Sequence, residues 1–256
     1  MRYHIDTIPV WDAVNMNGEC PLCFLRRKTE HLLVDRYLGG SVMESDTRIQ
    51  VNDKGFCPMH QHMLYAKQNR LGHALMMHSH MVHTQKKFTA YLAQATASAQ
   101  EAAGQPVLKR LTRRGGAGTG EAAKGIHALV DSCVLCESLE DTMKRYAYTF
   151  VHLWKTDDGF QKAIKDSKGF CMQDTALLVN MAQEHLSPDR QVTLLKAMGT
   201  LAEQSFTRTA EDLEWFTLKF DYRNADKPWN NSKDALERAV LKLRGCYIGT
   251  DPARDA

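Results

Sequence analysis

The sequence lacks any run of roughly 18 consecutive apolar residues, the length that would mark a membrane-spanning helix. Its opening, MRYHIDTIPVWDAVNMNGECPLC, places charges and histidine early and holds no apolar stretch of signal-peptide length. A secretory signal is therefore not expected, and the cytoplasm is the default compartment. An excess of one charge is also missing. Lys and Arg number 33 against 30 Asp and Glu, and a net charge of +3 is too small to mark a nucleic-acid binder. Convincing apolar/polar alternation of the strand type is absent. So are a Ser–His–Asp order, a paired-carboxylate motif and a phosphate loop, which leaves no substrate named and weighs against an enzyme. What remains, at 256 residues, 43% hydrophobic and 25% charged, is ordinary globular composition, which excludes collagen, mucin and wholesale disorder.

Seven cysteines stand out from that background. In a reducing compartment spaced cysteines point to metal or redox chemistry before disulfides. Cys20 and Cys23 form a C-x2-C, and Cys133 and Cys136 form another. The tetrapeptide KGFC ends at Cys57 and recurs ending at Cys171, so both C-x2-C pairs are followed by a KGFC at nearly the same distance. This reads as an internal duplication with one cysteine cluster per half. The expected organisation is a first helical repeat over 1–100, a linker over 101–127 and a second repeat over 128–250. Cys246 stands outside the scheme.

Within this scheme the first cluster is Cys20, Cys23, Cys57 and His60, and the second is Cys133, Cys136, Cys171 and Asp174. Three thiolates with one imidazole, or with one carboxylate, suit a tetrahedral zinc ion. The ligand pairs precede or open predicted helices, where free N–H groups and the helix dipole favour thiolates. By ligand counting, a zinc site of the first kind has a formal charge of about −1 and one of the second about −2, so the Asp174 site is expected to be weaker. Water in place of Asp174 would leave the open position of a catalytic site. An iron–sulfur cluster is the alternative cofactor. Inert buried cysteines, or a dithiol oxidoreductase built on C-x2-C, are the competing readings.

The fold class is all-α. A stripe of Leu22, Leu25, Leu32, Leu33 and Tyr37 predicts a helix stopped by Gly39 and Gly40. Its counterpart runs from Leu135 to Leu153 and ends at Asp157–Gly159. Pro58 suits a first helical position, and one long helix should follow it through Leu64, Leu71, Leu75, Val82, Phe88 and Leu92. Helices are further expected after Cys171, from Pro188 to Phe220, and from Ser232 to Gly245. Residues 96–127 are small, polar and glycine-rich, a linker rather than a phosphate loop. The run Lys109–Arg114 within it is read as solvated rather than as a contact for an acidic partner. His60, His73, His80 and His83, with several methionines, fall on the long helix; surface histidines and core methionines are favoured there over a second metal. Trp215 to Trp229 can line a pocket or a dimer contact, but a polar-pinned helix end is favoured.

The segments YHIDTIPVWDA, ECPLC, LGGSVMESDTR, VNDKGFC-x2-H, the second C-x2-C, SKGFC and WFTLKFDYRNADKPW with NSKDALERA resemble a bacterial family of unknown function. Its members are sometimes mislabelled as transporter substrate-binding proteins. The resemblance covers nearly the whole chain outside the linker. It implies a soluble bacterial protein with duplicated cysteine sites and no established activity. The family pattern has His in both C-x2-H positions, which Asp174 departs from. The expectation is a metal-binding helical scaffold or interaction protein, most simply a zinc protein. Any partner would be another protein or a second copy of the chain, with no membrane.

Overall fold

The computed structural model describes residues 5–105 and 117–253. Among these residues the chain is helical throughout and has no strand. In chain order the α-helices are α1 (Thr7–Asn15), α2 (Pro21–Leu38), α3 (Ser45–Lys54), α4 (Pro58–Ala66), α5 (Arg70–Ala103), α6 (Ala117–Asp131), α7 (Val134–Thr156), α8 (Asp158–Lys165), α9 (Met172–His185), α10 (Pro188–Leu218) and α11 (Ala235–Arg244). No described helix is long and apolar enough to cross a membrane.

The chain divides into two compact units, and they are not the two halves that the sequence pattern suggests. One comprises Met1–His31 with Leu139–Ala256; the other is Leu32–Ser138. The contiguous unit is thus set into the sequence of the other. In the first unit, Phe150 of α7 meets Phe160 of α8 edge-on at 5.1 Å and Phe170 at 5.4 Å, and Trp11 of α1 meets Phe160 at 5.1 Å. Trp154, Ile164, Leu178 and Leu194 are buried in the same unit. In the second unit, Val34, Tyr37 and Leu38 pack with Val51, Phe56, Leu64, Met76, Val134 and Leu135.

Several helix ends follow local chemistry. Pro58 and Pro188 open α4 and α10, where the missing N–H is harmless. Gly245 ends α11 in the left-handed conformation at φ 67°. The single long helix expected after Cys57 is instead two. Gln68 turns the chain at φ 64°, and the Asn69 side chain accepts from Gly72 N–H at 3.0 Å to start α5. Asn69 also donates to the Leu38 carbonyl at 2.7 Å, which fixes the break. Of α5 only Gly72 and Met76 are buried; Leu71, Leu75, Val82, Phe88 and Leu92 are exposed, so the apolar stripe read along it is not a core stripe.

The expected linker is helical at both its ends. Helix α5 runs to Ala103, and the alanine-containing stretch from Ala117 forms α6, which packs along α5. A Cβ on Gly125 would sit 2.4 Å from the Tyr91 ring, and one on Gly118 3.0 Å from Ser98, so these glycines permit an antiparallel close approach. The run Lys109–Arg114 lies outside the described residues. The Trp215–Trp229 segment is a pinned turn, the favoured of its two readings. Lys219 Nζ donates to the carbonyls of Asn224, Ala225 and Lys227 at 2.6–2.8 Å, and Trp215 Nε1 donates to Pro228 O at 3.0 Å.

The C-terminal segment is held by Asp251, whose Oδ2 lies 2.7 Å from both Arg27 Nε and His31 Nε2. Burial pushes the Asp251 carboxyl up, but the His31 and Arg27 contacts outweigh it and hold the pKa below the usual carboxylate range.

Two predictions follow from this packing. Phe150→Ala should cost about 3–5 kcal/mol in equilibrium denaturation, as for other buried aromatic truncations; a loss below about 1 kcal/mol would contradict its place in the core. Because the Asp251 pKa is depressed by folding, its contribution is present above the unfolded value of about 3.9 and disappears as pH falls through the folded value. Asp251→Asn should therefore be less stable than wild type at neutral pH, and the gap should close on acid titration. A gap that persists unchanged below about pH 3 would refute the assignment.

Candidate metal centres

Every predicted ligand lies at the start of a helix, and the spacing has a simple cause. Cys20, Cys57, Cys133 and Cys171 stand immediately before α2, α4, α7 and α9. The carbonyl of each accepts the first helical hydrogen bond, from Phe24, Gln61, Glu137 and Thr175 at 2.9–3.2 Å. Three residues further on, one turn away on the same face, come Cys23, His60, Cys136 and Asp174. Each pair is thus a helix cap and its third helical residue. Cys171 Sγ accepts from Asp174 N–H at 3.3 Å, and Cys133 Sγ from Cys136 N–H at 3.5 Å.

The KGFC tetrapeptide also has a mechanical reading. Gly55 (φ 62°) and Gly169 (φ 82°) occupy the left-handed region that favours glycine. Each turns the chain into an extended Phe–Cys, with Phe56 and Phe170 buried as anchors. At Gly55 a Cβ would also strike the His80 ring, which docks by Nδ1 at 3.0 Å from the Asn52 carbonyl oxygen. His73 Nε2 lies 2.7 Å from Gln61 Oε1. Among the described residues, neither His73, His80 nor His83 joins a group of metal-ligand type; His60 alone of the histidines on the predicted long helix does.

The eight predicted ligands form two groups, each within one unit, but the grouping expected from the repeat is wrong. Cys20 and Cys23 assemble with Cys171 and Asp174; Cys57 and His60 assemble with Cys133 and Cys136. The C-x2-C of each half meets the C-x2-His or C-x2-Asp of the other. Each group is confined to one of the two compact units.

In the inner group, named for its place in the sequence, His60 Nδ1 lies 3.3 Å from Cys57 Sγ, 3.3 Å from Cys133 Sγ and 3.4 Å from Cys136 Sγ. Cys57 and Cys136 sulfurs are 3.7 Å apart. In the outer group, Asp174 Oδ2 lies 3.2–3.3 Å from all three sulfurs, and Cys23 and Cys171 sulfurs are 3.4 Å apart. A tetrahedral zinc ion with ordinary bond lengths has ligand-to-ligand edges of about 3.5–3.8 Å, so most of these distances would open by a few tenths of an ångström around an ion. All cysteines are free thiols. The two groups therefore have the donors, number and spacing to hold one metal ion each. Asp174 is fully buried and fills the fourth position itself.

Electrostatics distributes charge unevenly inside each group. Burial pushes Cys133 up, yet the His60 contact and the backbone N–H groups of Cys57 and Cys136 outweigh it and bring the thiol down to about 6. Burial and the neighbouring Cys133 push Cys136 up. In the outer group hydrogen bonds from Cys20 and Cys23 hold Cys171 far below an ordinary thiol, while burial drives Cys20 up. Burial and the Cys171 charge also raise Asp174, against the pull of Arg26. Protein groups alone stabilise one thiolate per cluster; a central dication is the element that would stabilise three.

The loops bearing the ligands are joined differently in the two groups. At the inner one Ser132 Oγ donates to Lys54 O at 2.7 Å and Val134 N–H donates to Gly55 O at 3.1 Å. At the outer one the corresponding residues are Glu19 and Pro21, which offer neither donor. The buried Lys242 of α11 takes over, with Nζ donating to Glu19 O at 2.7 Å and Lys168 O at 2.6 Å. Burial lowers its pKa, opposed by the Glu19 charge at 3.4 Å. Arg26 donates to Asp174 Oδ1 at 2.7 Å. Neither Lys242 nor Arg26 was found by sequence reasoning; the C-x2-C-x2-Arg spacing could have pointed to Arg26. Cys246 is exposed and belongs to neither group.

The cross-grouping separates cleanly in double variants. Cys20→Ser with Cys57→Ser breaks both groups and should leave no stoichiometric metal, whereas Cys20→Ser with Cys171→Ser should leave one equivalent by elemental analysis. Retention of one equivalent in the first double variant would restore the grouping by halves.

The chain belongs to a family of unknown function, DUF6062, whose model matches residues 1–250. No curated protein and no solved structure matches it.

Proposed function

We propose that this family member is a zinc protein in which two ions hold helix starts together, and that it serves as a scaffold or interaction protein. The observation that carries the reading is the pair of four-donor groups, largely buried, free of disulfides and with all donor atoms within 4.8 Å of one another. Zinc suits a mixed sulfur–nitrogen or sulfur–oxygen set and needs no redox partner. With four protein donors in place, the shell is closed, as in structural rather than catalytic zinc sites. That supports a folding role and gives no open position for a substrate.

Spacing favours a single ion over an iron–sulfur cluster. Donor atoms within 4.8 Å of one another leave room for one ion but not for the larger inorganic core of a cluster. A dithiol oxidoreductase is less well supported, since Cys20 and Cys23 each have partners beyond their own pair. The repeated motifs, with glycine in the left-handed region at both KGFC turns, support an internal duplication.

Anaerobically purified protein should be colourless and hold two zinc per chain. Chelation should lower the helical circular dichroism and the thermal midpoint, because metal binding and folding are coupled, with apparent energies of about 10–16 kcal/mol for small structural sites. A metal-free preparation of equal stability, or a brown one with visible absorption, would overturn the zinc reading.

A further inference from the structure

The two metal groups differ in one ligand, and the difference is matched elsewhere. Asp174 adds a full negative charge that His60 does not. A zinc ion with three thiolates and a carboxylate has a formal charge of about −2, against about −1 with imidazole. Buried charge is tolerated only when it is paired. Arg26 provides the pairing: its guanidinium donates to Asp174 Oδ1 at 2.7 Å, while Oδ2 faces the three sulfurs. One carboxylate oxygen is thus directed at the metal position and the other at a fixed cation.

The sequence repeat shows that this pairing is selective. Arg26 lies six residues after Cys20, two helical turns into α2; the residue six after Cys133 is Leu139. The half-motif whose partner ligand is Asp174 has arginine at this position, and the one whose partner ligand is His60 has leucine. Arg26 is not there for general hydrogen bonding. Its Nε is buried with no partner, an unfavourable arrangement for a donor. The placement is explained by the carboxylate it meets.

We infer that Arg26 is the dedicated counter-ion of the Asp174 group, a positioning residue that makes a three-cysteine, one-aspartate site hold metal as a three-cysteine, one-histidine site does. Arg26 with Asp174 is one exchangeable unit, equivalent to Leu139 with His60. This rests on the metal reading proposed above. Arg26 aims the carboxylate, fixes Oδ2 toward the ion and offsets the extra charge. Lys242 places a second buried cation at the base of the same loops.

The test is a double-variant cycle in the full-length protein, read by chelator competition and by cobalt(II) absorption. Arg26→Leu should weaken one of the two sites at least tenfold and leave the other unchanged. In an Asp174→His background the same leucine substitution should change that site less than threefold, and the cobalt spectrum of the double variant should collapse onto a single three-cysteine, one-histidine type. Arg26→Lys, which keeps the charge but loses the planar fork, should fall between wild type and leucine. Equal losses from Arg26→Leu in both backgrounds would reduce Arg26 to packing and overturn the inference. An unchanged affinity in the Asp174 background would do the same. If Arg26→Leu fails to fold, recovery of the helical signal by adding Asp174→His supports the pairing, and failure to recover refutes it. A wild-type protein without stoichiometric metal would instead defeat the zinc reading itself, a separate result.

Discussion

The structure depends on the free energy of concentrating thiolates at helix starts. Each cluster brings three sulfurs and a fourth donor within a few ångströms in the protein interior. Thiolates so placed repel one another and lose their hydration. Backbone N–H groups at four helix caps and the partial positive charge of those helix ends offset only part of that. A cation at each centre would remove the conflict and join two helix starts far apart in sequence. Helix packing in each unit is organised around this requirement. The anchors Phe56 and Phe170, the glycine turns before them and the caps after them all fix where a sulfur points.

The two clusters meet that requirement by different routes. The inner one has an imidazole and joins its loops through a serine hydroxyl and a backbone N–H. The outer one has a carboxylate, loses both of those donors to Glu19 and Pro21, and uses buried Lys242 and Arg26 in their place. The outer group therefore has side-chain cations beside it, Arg26 on its carboxylate and Lys242 on its loops. Similar motifs have settled into distinct electrostatic surroundings without changing the number or spacing of donors.

Much of this was legible in the residues. The helical class, the eight clustered donor residues, the openings at Pro58 and Pro188 and the stop at Gly245 follow from local rules that do not depend on tertiary context. The grouping of ligands does not. Two copies of the same motif pair offer the same donors in either combination, so spacing says which residues can ligate but not which of them meet. Tertiary packing decides that, each group forming within one compact unit. The interruption at Gln68 was hidden for a similar reason. Neither glycine nor proline marks it, and it is fixed by the contact of Asn69 with Leu38. Arg26 and Lys242 were missed because their role is defined by a carboxylate and by carbonyls far away in the sequence.

The pairing of motifs is nested. Cys57 and His60 close with Cys133 and Cys136 inside the longer span that joins Cys20 and Cys23 to Cys171 and Asp174. The contacts of the inner closure span up to 79 residues and those of the outer up to 154. Once the inner loop is closed, the free length of the outer loop is roughly halved, which lowers its closure entropy by about 0.6 kcal/mol. During synthesis the inner set of donors is complete once Cys136 is added, 35 residues before Cys171. The order of the motifs thus allows the chain to be tied from the inside outward, each knot shortening the next.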